Sequence, residues 1–435
     1  MQDLCRIYAK ICLCQRRGPG APLARKGTKL GACNGPEDKR MERRALSGAE
    51  MYQGKDAGQH GPGPDFAIPS GPAVDWGPER GPAIGEQRAP QARDEDAPFV
   101  VEARFYKKLT NRKVQCDLCP RECVVSDGKR GACGVREDRA GTLYSLVYAR
   151  VGAAHIDPIE KKPLFHYLPG TNAFSVATAG CNVDCKFCQN WEISQARPEQ
   201  LPALYMPPKK AAALARQYDC PSIAFTYSEP VVFSEFVMDT IDAGHEAGLR
   251  SVVVSNGYIQ PAPLKAVYGR ADAVKIDLKA YSERFYRNVV RGELRPVLDT
   301  LVALRSMGMW TEIVYLVVPT LNDTDEEFLG LARWIKTELG EDVPLHFTQF
   351  HPEYRMKGLA VTPVATLERA KSIADAEGLH FVYIGNVPGH PAQNTYCPQC
   401  HHLLVERVGF TADRILVHEG RCPFCQRPVP GVWHA

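Results

Sequence analysis

The chain has 435 residues, 44% of them hydrophobic and 24% charged, with a formal net charge of +3. This composition is ordinary for a globular protein, and the length corresponds to about two to four domains at roughly 100–200 residues each. The near-neutral charge argues against a nucleic-acid partner. No stretch approaches the roughly 18 apolar residues of a membrane span, so we expect no membrane partner either.

Cysteine is the residue type whose count stands out, at 16. The N-terminal sequence is interrupted by Arg6, Lys10, Arg16 and Arg17, so it lacks the run of about 7–15 apolar residues found in secretory signals. Without an export signal we expect a cytoplasmic protein, in which thiols stay reduced. Clustered cysteines then indicate metal ligands rather than disulfides.

Residues 1–97 contain 14 Gly and 10 Pro without a fixed period. Such a segment cannot bury enough apolar surface to offset the entropy of ordering, so we predict a disordered extension. Four cysteines lie here: Cys5, Cys12, Cys14 and Cys33. They show no recurring pair spacing, which favours incidental thiols over ligands. An alternative is that translation starts at Met41 or Met51, within this segment.

Order is predicted to begin at Pro98, with a Cys-rich metal-binding segment over residues 98–170. Four of its cysteines follow the spacing C-x2-C-x3-C-x9-C: Cys116, Cys119, Cys123 and Cys133. Four thiolates on a short stretch form a closed site, which fits both a structural zinc and a second [4Fe–4S] cluster. Spacing alone does not choose between them, although Lys129 and Arg130 among glycines resemble a tight zinc-type loop.

Over residues 171–386, apolar β-branched runs alternate with helix-length segments. The predicted strands are Ala173–Ala179, Ser222–Tyr227, Arg250–Ser255, Ala273–Leu278, Thr311–Val318, Leu345–Phe350 and His380–Ile384. The predicted helices are Pro208–Tyr218, Val231–Ala247, Leu298–Met307, Asp325–Leu339 and Pro363–Glu377. Such alternation predicts an α/β core with parallel strands, here a partial (β/α)6 TIM-like barrel. Chemistry is then expected at the carboxyl ends of the strands.

The loop after the first predicted strand carries Cys181, Cys185 and Cys188 in the spacing C-x3-C-x2-C. A [4Fe–4S] cluster normally takes four thiolates, and no fourth cysteine occurs before Cys220. Three ligands leave one iron open, by the same logic that makes a three-ligand zinc site catalytic. The alternative is a zinc site with a distant fourth ligand.

These three cysteines, with Phe187 before the last, resemble the signature of the radical S-adenosylmethionine (SAM) superfamily. The resemblance implies that SAM chelates the open iron of a [4Fe–4S] cluster and is cleaved reductively to a 5′-deoxyadenosyl radical. That radical abstracts hydrogen from a substrate, while the protein supplies positioning and a dry pocket. On this basis Phe187 is counted among the cofactor-binding residues.

The resemblance extends to two later strand ends. Glu229 stands where such families bind the SAM amino group, although Tyr227 and Ser228 replace the usual glycines. An acid at a helix N-terminus explains Glu229 as an alternative. Ser255 and Asn256 resemble the segment that contacts the SAM carboxylate and ribose, and a plain turn explains them equally well.

Charges alternate with apolar residues at the end of the fourth predicted strand, so Lys275, Asp277 and Lys279 share a face. Glycyl-radical-enzyme activases carry a similar Asp-Leu-Lys, which implies that Asp277 and Lys279 contact SAM or substrate. The alternative is an internal ion-pair network. His351, after the sixth strand, is a further candidate for substrate work.

The C-terminal segment, residues 387–435, carries two C-x2-C pairs: Cys397 with Cys400, and Cys422 with Cys425. Paired knuckles at this separation predict a zinc ribbon with a structural zinc, because four ligands leave no open position. An electron-transfer iron site is the alternative.

Over roughly residues 100–433 the chain is similar to the radical SAM enzymes of the AmmeMemoRadiSam system, a group close to pyruvate formate-lyase activating enzymes. The similarity includes Asn386–His390, Asn394–Pro398 and Pro430–Trp433. It implies an oxidoreductase that takes electrons from flavodoxin or ferredoxin and acts on a protein glycine. The alternatives are radical modification of a small molecule or partner protein, and a non-catalytic metal-binding scaffold, against which the three-ligand loop argues.

Overall fold

The computed structural model of the protein describes residues 98–434, so the extension predicted for residues 1–97 lies outside the described part. Short strands form the N-terminal segment: β1 Val101–Glu102, β2 Tyr106–Lys108, β3 Val114–Cys116, β4 Val124–Val125, β5 Arg136–Arg139, β6 Thr142–Ser145 and β7 Arg150–Val151. The first six form two three-stranded antiparallel sheets, in the orders β1-β6-β5 and β2-β3-β4. Cys116 is the last residue of β3 and Cys133 precedes β5, so the two sheets carry the first cysteine group.

The next strands are β8 Ala153–Pro158, β9 Asn172–Ala177, β10 Leu204–Tyr205, β11 Ser222–Phe225, β12 Arg250–Ser255, β13 Ala273–Asp277, β14 Trp310–Val317, β15 Leu345–Gln349 and β16 Val382–Gly385. All except β10, which pairs with β7, form one sheet in the order β16-β15-β14-β13-β12-β11-β9-β8. Neighbours from β9 to β16 are parallel, and β8 is antiparallel to β9. The parallel α/β core is therefore confirmed. Among residues 98–434 no ladder joins β16 to β8, and the barrel-like curvature stays a prediction.

The helices that connect these strands are α1 Trp191–Ser194, α2 Pro208–Gln217, α3 Ser234–Glu246, α4 Pro261–Val267, α5 Glu283–Phe285, α6 Leu294–Ser306, α7 Asp325–Glu338 and α8 Val364–Glu377. A π-helical turn, Tyr286–Val290, follows α5. Helix α7 shows why such segments fold: the Thr324 side chain caps it by accepting the Glu327 N–H. Its buried stripe repeats at helical spacing through Phe328, Leu331 and Ile335, so the helix packs one face on the sheet.

Two elements differ from the sequence prediction for physical reasons. Helix α6 begins about a turn before the predicted Leu298, because Pro296 occupies its first turn, where its missing N–H has no helical partner to lose. Strand β8 lies within the segment predicted as residues 98–170, yet it pairs with β9 as an antiparallel edge of the main sheet. A pattern of alternating β and α units does not predict such an edge.

The C-terminal segment forms a small antiparallel sheet of β17 Thr395–Tyr396, β18 Leu403–Val408 and β19 Thr411–Ile415. Its core includes Trp433 and packs against Phe165, Phe381 and Tyr383. Because Phe381 immediately precedes β16, the segment covers the amino edge of the main sheet, opposite the strand ends that precede the Cys181 loop. None of the helices among residues 98–434 has the length and apolar character that crossing a bilayer requires.

Candidate active site

The Cys181 loop follows β9 directly, at the carboxyl edge of the parallel sheet. Cys185 is buried, and Cys181 and Cys188 are partly buried. The backbone N–H groups of Asp184 and Lys186 donate to carbonyls of the π-helical turn at 3.1 and 3.0 Å, which fixes the middle of the loop. The loop thus presents three thiols from a backbone that a separate element holds in place.

One hydroxyl group and one side-chain amide lie against the two outer thiols of the loop, those of Cys188 and Cys181. The Ser194 Oγ is 3.2 Å from the Cys188 Sγ. The Asn256 amide donates to the Cys181 Sγ at 3.8 Å and to the Asn182 Oδ1 at 2.9 Å. The Asn182 amide in turn donates to the carbonyl of Tyr258 at 2.6 Å. These bonds tie the end of β12 to the cysteine loop.

Glu229 is 2% exposed and lies after β11, next to the same loop. Its carboxylate accepts hydrogen bonds from the Val231 N–H at 3.1 Å, the Ser255 hydroxyl at 2.7 Å and the Asn256 N–H at 2.9 Å. Burial raises the pKa of Glu229 to about 7 in spite of these donors. The structure therefore brings three of the predicted cofactor residues into one hydrogen-bonded group.

Lys275, Asp277 and Lys279 lie on one face, as their alternation predicts. The Lys275 ammonium pairs with one Asp277 oxygen, and the Lys279 Nζ is 3.0 Å from the other. Burial opposes ionisation of Asp277, but the two lysines lower its pKa to about 2. The ion-pair network named as the alternative is present, while contact with SAM or substrate stays a prediction.

Sequence reasoning missed a second ion pair, in which the buried Asp157 and Lys162 lie against the partly buried Tyr227. The Lys162 Nζ lies 2.5 Å from the Asp157 Oδ2 and 4.4 Å from the centre of the Tyr227 ring, and the Tyr227 hydroxyl donates to Asp157. Burial lowers the pKa of Lys162 to about 8. The sequence signal is weak, since residues 157–162 simply form a dense run of charges. His351, in contrast, is exposed beyond β15.

The two flanking cysteine groups differ in sulfur spacing. In the C-terminal segment, the Sγ atoms of Cys397 and Cys425 are 3.5 Å apart and those of Cys400 and Cys422 are 3.6 Å apart. All four lie within 4.8 Å of one another, the only group of three or more such ligand atoms found among residues 98–434. The N-terminal four instead line one cavity without meeting that spacing.

Comparison with known proteins decides the family. A family model described as the radical SAM superfamily matches residues 175–335, from β9 into α7. The uncharacterized protein MJ0808 of Methanocaldococcus jannaschii is 45% identical over 326 residues, which cover 74% of this chain and 97% of that protein. The chain belongs to the radical SAM superfamily.

More distant radical SAM relatives have named activities. The pyruvate formate-lyase-activating enzyme of Clostridium pasteurianum is 26% identical over 176 residues, covering 38% of this chain and 72% of that enzyme. The pyruvate formate-lyase 1-activating enzyme of Escherichia coli K12 is 23% identical over 217 residues, which cover 46% of this chain and 87% of that enzyme. The chain therefore has homology to activating enzymes, and this homology supports SAM-derived radical chemistry.

Radical SAM chemistry needs a [4Fe–4S] cluster and SAM, and the donor set fits both. Cys181, Cys185 and Cys188 offer three thiols on one loop, which leaves a cluster iron for SAM. Polar groups that suit an amino acid moiety, those of Glu229 and Asn256, stand beside the same loop. The site thus combines a loop of three thiols with a network of polar groups at one edge of the sheet.

Proposed function

We propose that the chain cleaves SAM reductively and abstracts hydrogen from a glycine of a partner protein, as an activating enzyme does. The observation that carries the proposal is the three-thiol loop at the carboxyl edge, joined through Asn256 to the buried Glu229. A [4Fe–4S] cluster bound by Cys181, Cys185 and Cys188 supplies the electron for SAM cleavage. The cysteine loop and the strand ends around it bind and orient SAM.

Phe187 shields the cluster from water in this proposal. Its side chain is buried, and its ring centre lies 6.0 Å from that of Phe285. An apolar wall next to a cluster lowers the local dielectric constant and limits solvent access. Phe187 therefore acts through packing and exclusion of water.

Glu229 faces the amino group of SAM, and its carboxylate also fixes the backbone of Asn256, whose segment contacts the SAM carboxylate and ribose. An ammonium group arriving beside Glu229 favours its ionised form, which burial alone disfavours. Ser255 supports the same turn, because its hydroxyl donates to Glu229 and accepts the Gly257 N–H at 3.0 Å. Asp277 and Lys279, one strand further along, face the reacting part of SAM or the substrate, within the predicted partial barrel.

A protein glycine is the proposed substrate because the named relatives are activating enzymes. The reducing electron comes from a flavodoxin or ferredoxin, and the proposed compartment is the cytoplasm. The twelve cysteines among residues 98–434 are all free, which suits a reducing compartment.

The test is anaerobic reconstitution of the full chain, reduction, and incubation with SAM and candidate glycyl radical enzymes. We expect 5′-deoxyadenosine by mass spectrometry and a glycyl radical on the partner by electron paramagnetic resonance. Hydrogen transfer into a metabolite without a protein radical would instead establish small-molecule modification. Absence of 5′-deoxyadenosine from fully loaded protein would contradict the whole proposal.

Cys185→Ala should abolish SAM cleavage, because two thiolates cannot hold the catalytic cluster. The matched control is Cys220→Ala, since Cys220 is also buried but lies outside the motif. SAM cleavage by the control should stay near the wild-type rate. Retained cleavage in Cys185→Ala would show that the cluster is held elsewhere.

For the C-terminal segment we propose a structural zinc. Four thiolates at about 2.3 Å from one zinc ion lie about 3.8 Å apart, which suits the paired sulfur distances of 3.5 and 3.6 Å. Four ligands leave no open position, and the segment covers the edge of the sheet opposite the cysteine loop. The zinc therefore stabilises the segment and takes no part in the reaction.

A further inference from the structure

The N-terminal cysteines line one cavity between the small antiparallel sheets and the cysteine loop. Four of its lining residues are Cys116, Cys119, Cys123 and Cys133, and Asn182 from the loop lies on its wall. All four thiols are free. Their convergence on one cavity, from positions spread over 18 residues of sequence, indicates a metal centre rather than incidental thiols.

The spacing of the sulfur atoms argues against a single metal ion. Around one zinc ion, four sulfurs lie about 3.8 Å apart, and the C-terminal segment meets this requirement. Among residues 98–434 no other three ligand atoms lie within 4.8 Å of one another, so no three of the N-terminal sulfurs have the spacing that one zinc ion requires. A cubane places each thiolate on a different iron, so it needs the wider arrangement. The thiols of Cys181, Cys185 and Cys188 likewise do not lie within 4.8 Å of one another.

The walls of the cavity suit an anionic cluster. Arg136 lies on the wall and is 1% exposed; its guanidinium pairs with Glu235 at 2.9 Å, while its Nε has no hydrogen-bond partner. Among described donors, the Ala132 N–H donates to the Cys123 Sγ at 3.5 Å. An unpartnered guanidinium N–H and an N–H···S bond are both donors that stabilise a cluster held by four thiolates.

The cavity also borders the cysteine loop that carries Cys181, Cys185 and Cys188. Arg121, which lies between two of the N-terminal cysteines, donates to the carbonyls of Asn182 and Arg291. A Cβ atom on Gly180 would meet the Cys133 carbonyl oxygen at 2.9 Å, so the two cysteine groups approach through backbone contact.

We infer that a second [4Fe–4S] cluster, and not zinc, binds to the N-terminal cysteines Cys116, Cys119, Cys123 and Cys133. This cluster would lie next to the cysteine loop. The inference is independent of the proposed reaction, because it concerns metal content. It predicts about eight irons and eight sulfides per chain after reconstitution, with one zinc in the C-terminal segment.

The test is anaerobic reconstitution of the full chain with iron and sulfide, followed by elemental analysis and Mössbauer spectroscopy. In Cys185→Ala, which leaves the N-terminal segment intact, we expect about four irons as a cubane cluster. In Cys119→Ala/Cys123→Ala we expect about half of the wild-type iron and unchanged zinc. The triple variant that combines these substitutions should retain almost no iron.

The outcome that overturns the inference is Cys185→Ala with almost no iron and a second equivalent of zinc. Because that variant changes nothing in the N-terminal segment, a folding defect of the double variant does not affect this result. Cys220→Ala controls for loss of a buried thiol and should keep the wild-type iron content. A second zinc with intact 5′-deoxyadenosine formation would overturn this inference and leave the proposed function standing.

Discussion

Among single residues, Glu229 shows how a buried carboxylate can fix the positions of the groups around a site. Its three donors come from two strand ends, so the carboxylate holds those ends in register. A neutral amide offers only one acceptor oxygen to these three donors. Replacement by Gln therefore leaves at least one donor facing an NH2 group.

Glu229→Gln should weaken SAM binding about tenfold, which corresponds to about 1.4 kcal/mol for one misplaced hydrogen-bonding group. Equilibrium dialysis of reconstituted protein with SAM measures the change. The control is Glu246→Gln at the exposed end of α3, which should bind like the wild type. If Glu229→Gln and the wild type bind SAM with equal affinity, Glu229 does not position the groups that bind SAM.

His166, at the amino edge, is buried in a fixed neutral form. Its Nδ1 donates to the Pro430 carbonyl at 2.7 Å, so its Nε2 accepts from the Tyr383 hydroxyl at 2.6 Å. Burial lowers the pKa of His166 to about 4, well below the value of about 6.5 in an unfolded chain. The folded state thus resists a proton that the unfolded state accepts.

Stability should therefore fall as the pH drops below about 6.5 and continue to fall towards the folded pKa of about 4. Between about pH 7 and pH 5.5, protonation of this histidine in the unfolded state should lower the free energy of unfolding by about 1 kcal/mol. Urea denaturation of wild type, His166→Gln and His351→Gln at both pH values measures it. His351 is exposed, so its variant should lose as much stability as the wild type, and His166→Gln should lose less.

Residue patterns predicted some of the site well. The period-two face of Lys275, Asp277 and Lys279 follows from strand geometry alone, and the structure confirms that they share it. The group of Asp157, Lys162 and Tyr227 was not predictable in this way. It depends on an antiparallel edge strand that brings the N-terminal segment against the main sheet, and sequence periodicity carries no information about such pairing.

At the scale of elements, the cysteine loop depends on the turn at Gly180. This residue has a φ of +99°, and a Cβ atom there would lie 2.6 Å from Val135 Cγ1 and 2.9 Å from the Cys133 carbonyl oxygen. A side chain meets both backbone strain and a steric clash with the N-terminal segment. Glycine is therefore required by a neighbouring element as well as by its own φ.

Gly180→Ala should lower the free energy of unfolding by about 2–3 kcal/mol, because strain and clash add. The matched control is Gly308→Ala, at a φ of +67° with no atom within 4 Å of the added Cβ. The control isolates the conformational cost, about 1 kcal/mol. Urea denaturation compares them, and equal losses would show that Gly180 is not closely packed.

Most core elements were predictable because each is a local pattern. Strand β12 coincides with its prediction, and α7 ends one residue earlier than predicted. Both are predictable because helix caps and stripes of buried residues depend on residues that are close together in the sequence. The short strands of the N-terminal segment were not predicted, because strands of two to four residues are too short for a detectable periodicity. Their pairing is visible only once the distant partners have come together.

At the scale of the whole molecule, the main sheet separates the three-thiol loop from the C-terminal cysteine group. The three-thiol loop lies at the carboxyl edge and the C-terminal segment at the amino edge, where its core packs on Phe165 and Phe381. This separation keeps the proposed structural zinc away from the proposed reaction. Loss of the C-terminal metal should therefore affect stability and leave chemistry intact.

Cys400→Ala should lower the thermal unfolding midpoint by about 5–10 °C, because the small segment depends on its metal for folding. SAM cleavage per bound cluster at low temperature should be unchanged. Differential scanning calorimetry and 5′-deoxyadenosine formation measure the two effects. The control is His418→Gln, an exposed residue between the cysteine pairs. A large loss of cleavage in Cys400→Ala would place the segment in the reaction.

The pairing of Tyr167 with Val432 has a consequence for the order of folding. The Leu168 N–H donates to the Val432 carbonyl and the Val432 N–H to the His166 carbonyl, both at 2.7 Å. These residues flank almost the entire parallel sheet in the sequence, so their contact closes a very long loop. Contacts of such high sequence separation form late, and on the ribosome they must wait for the C-terminal segment to emerge. The amino edge of the sheet therefore stays open until synthesis of that segment is complete.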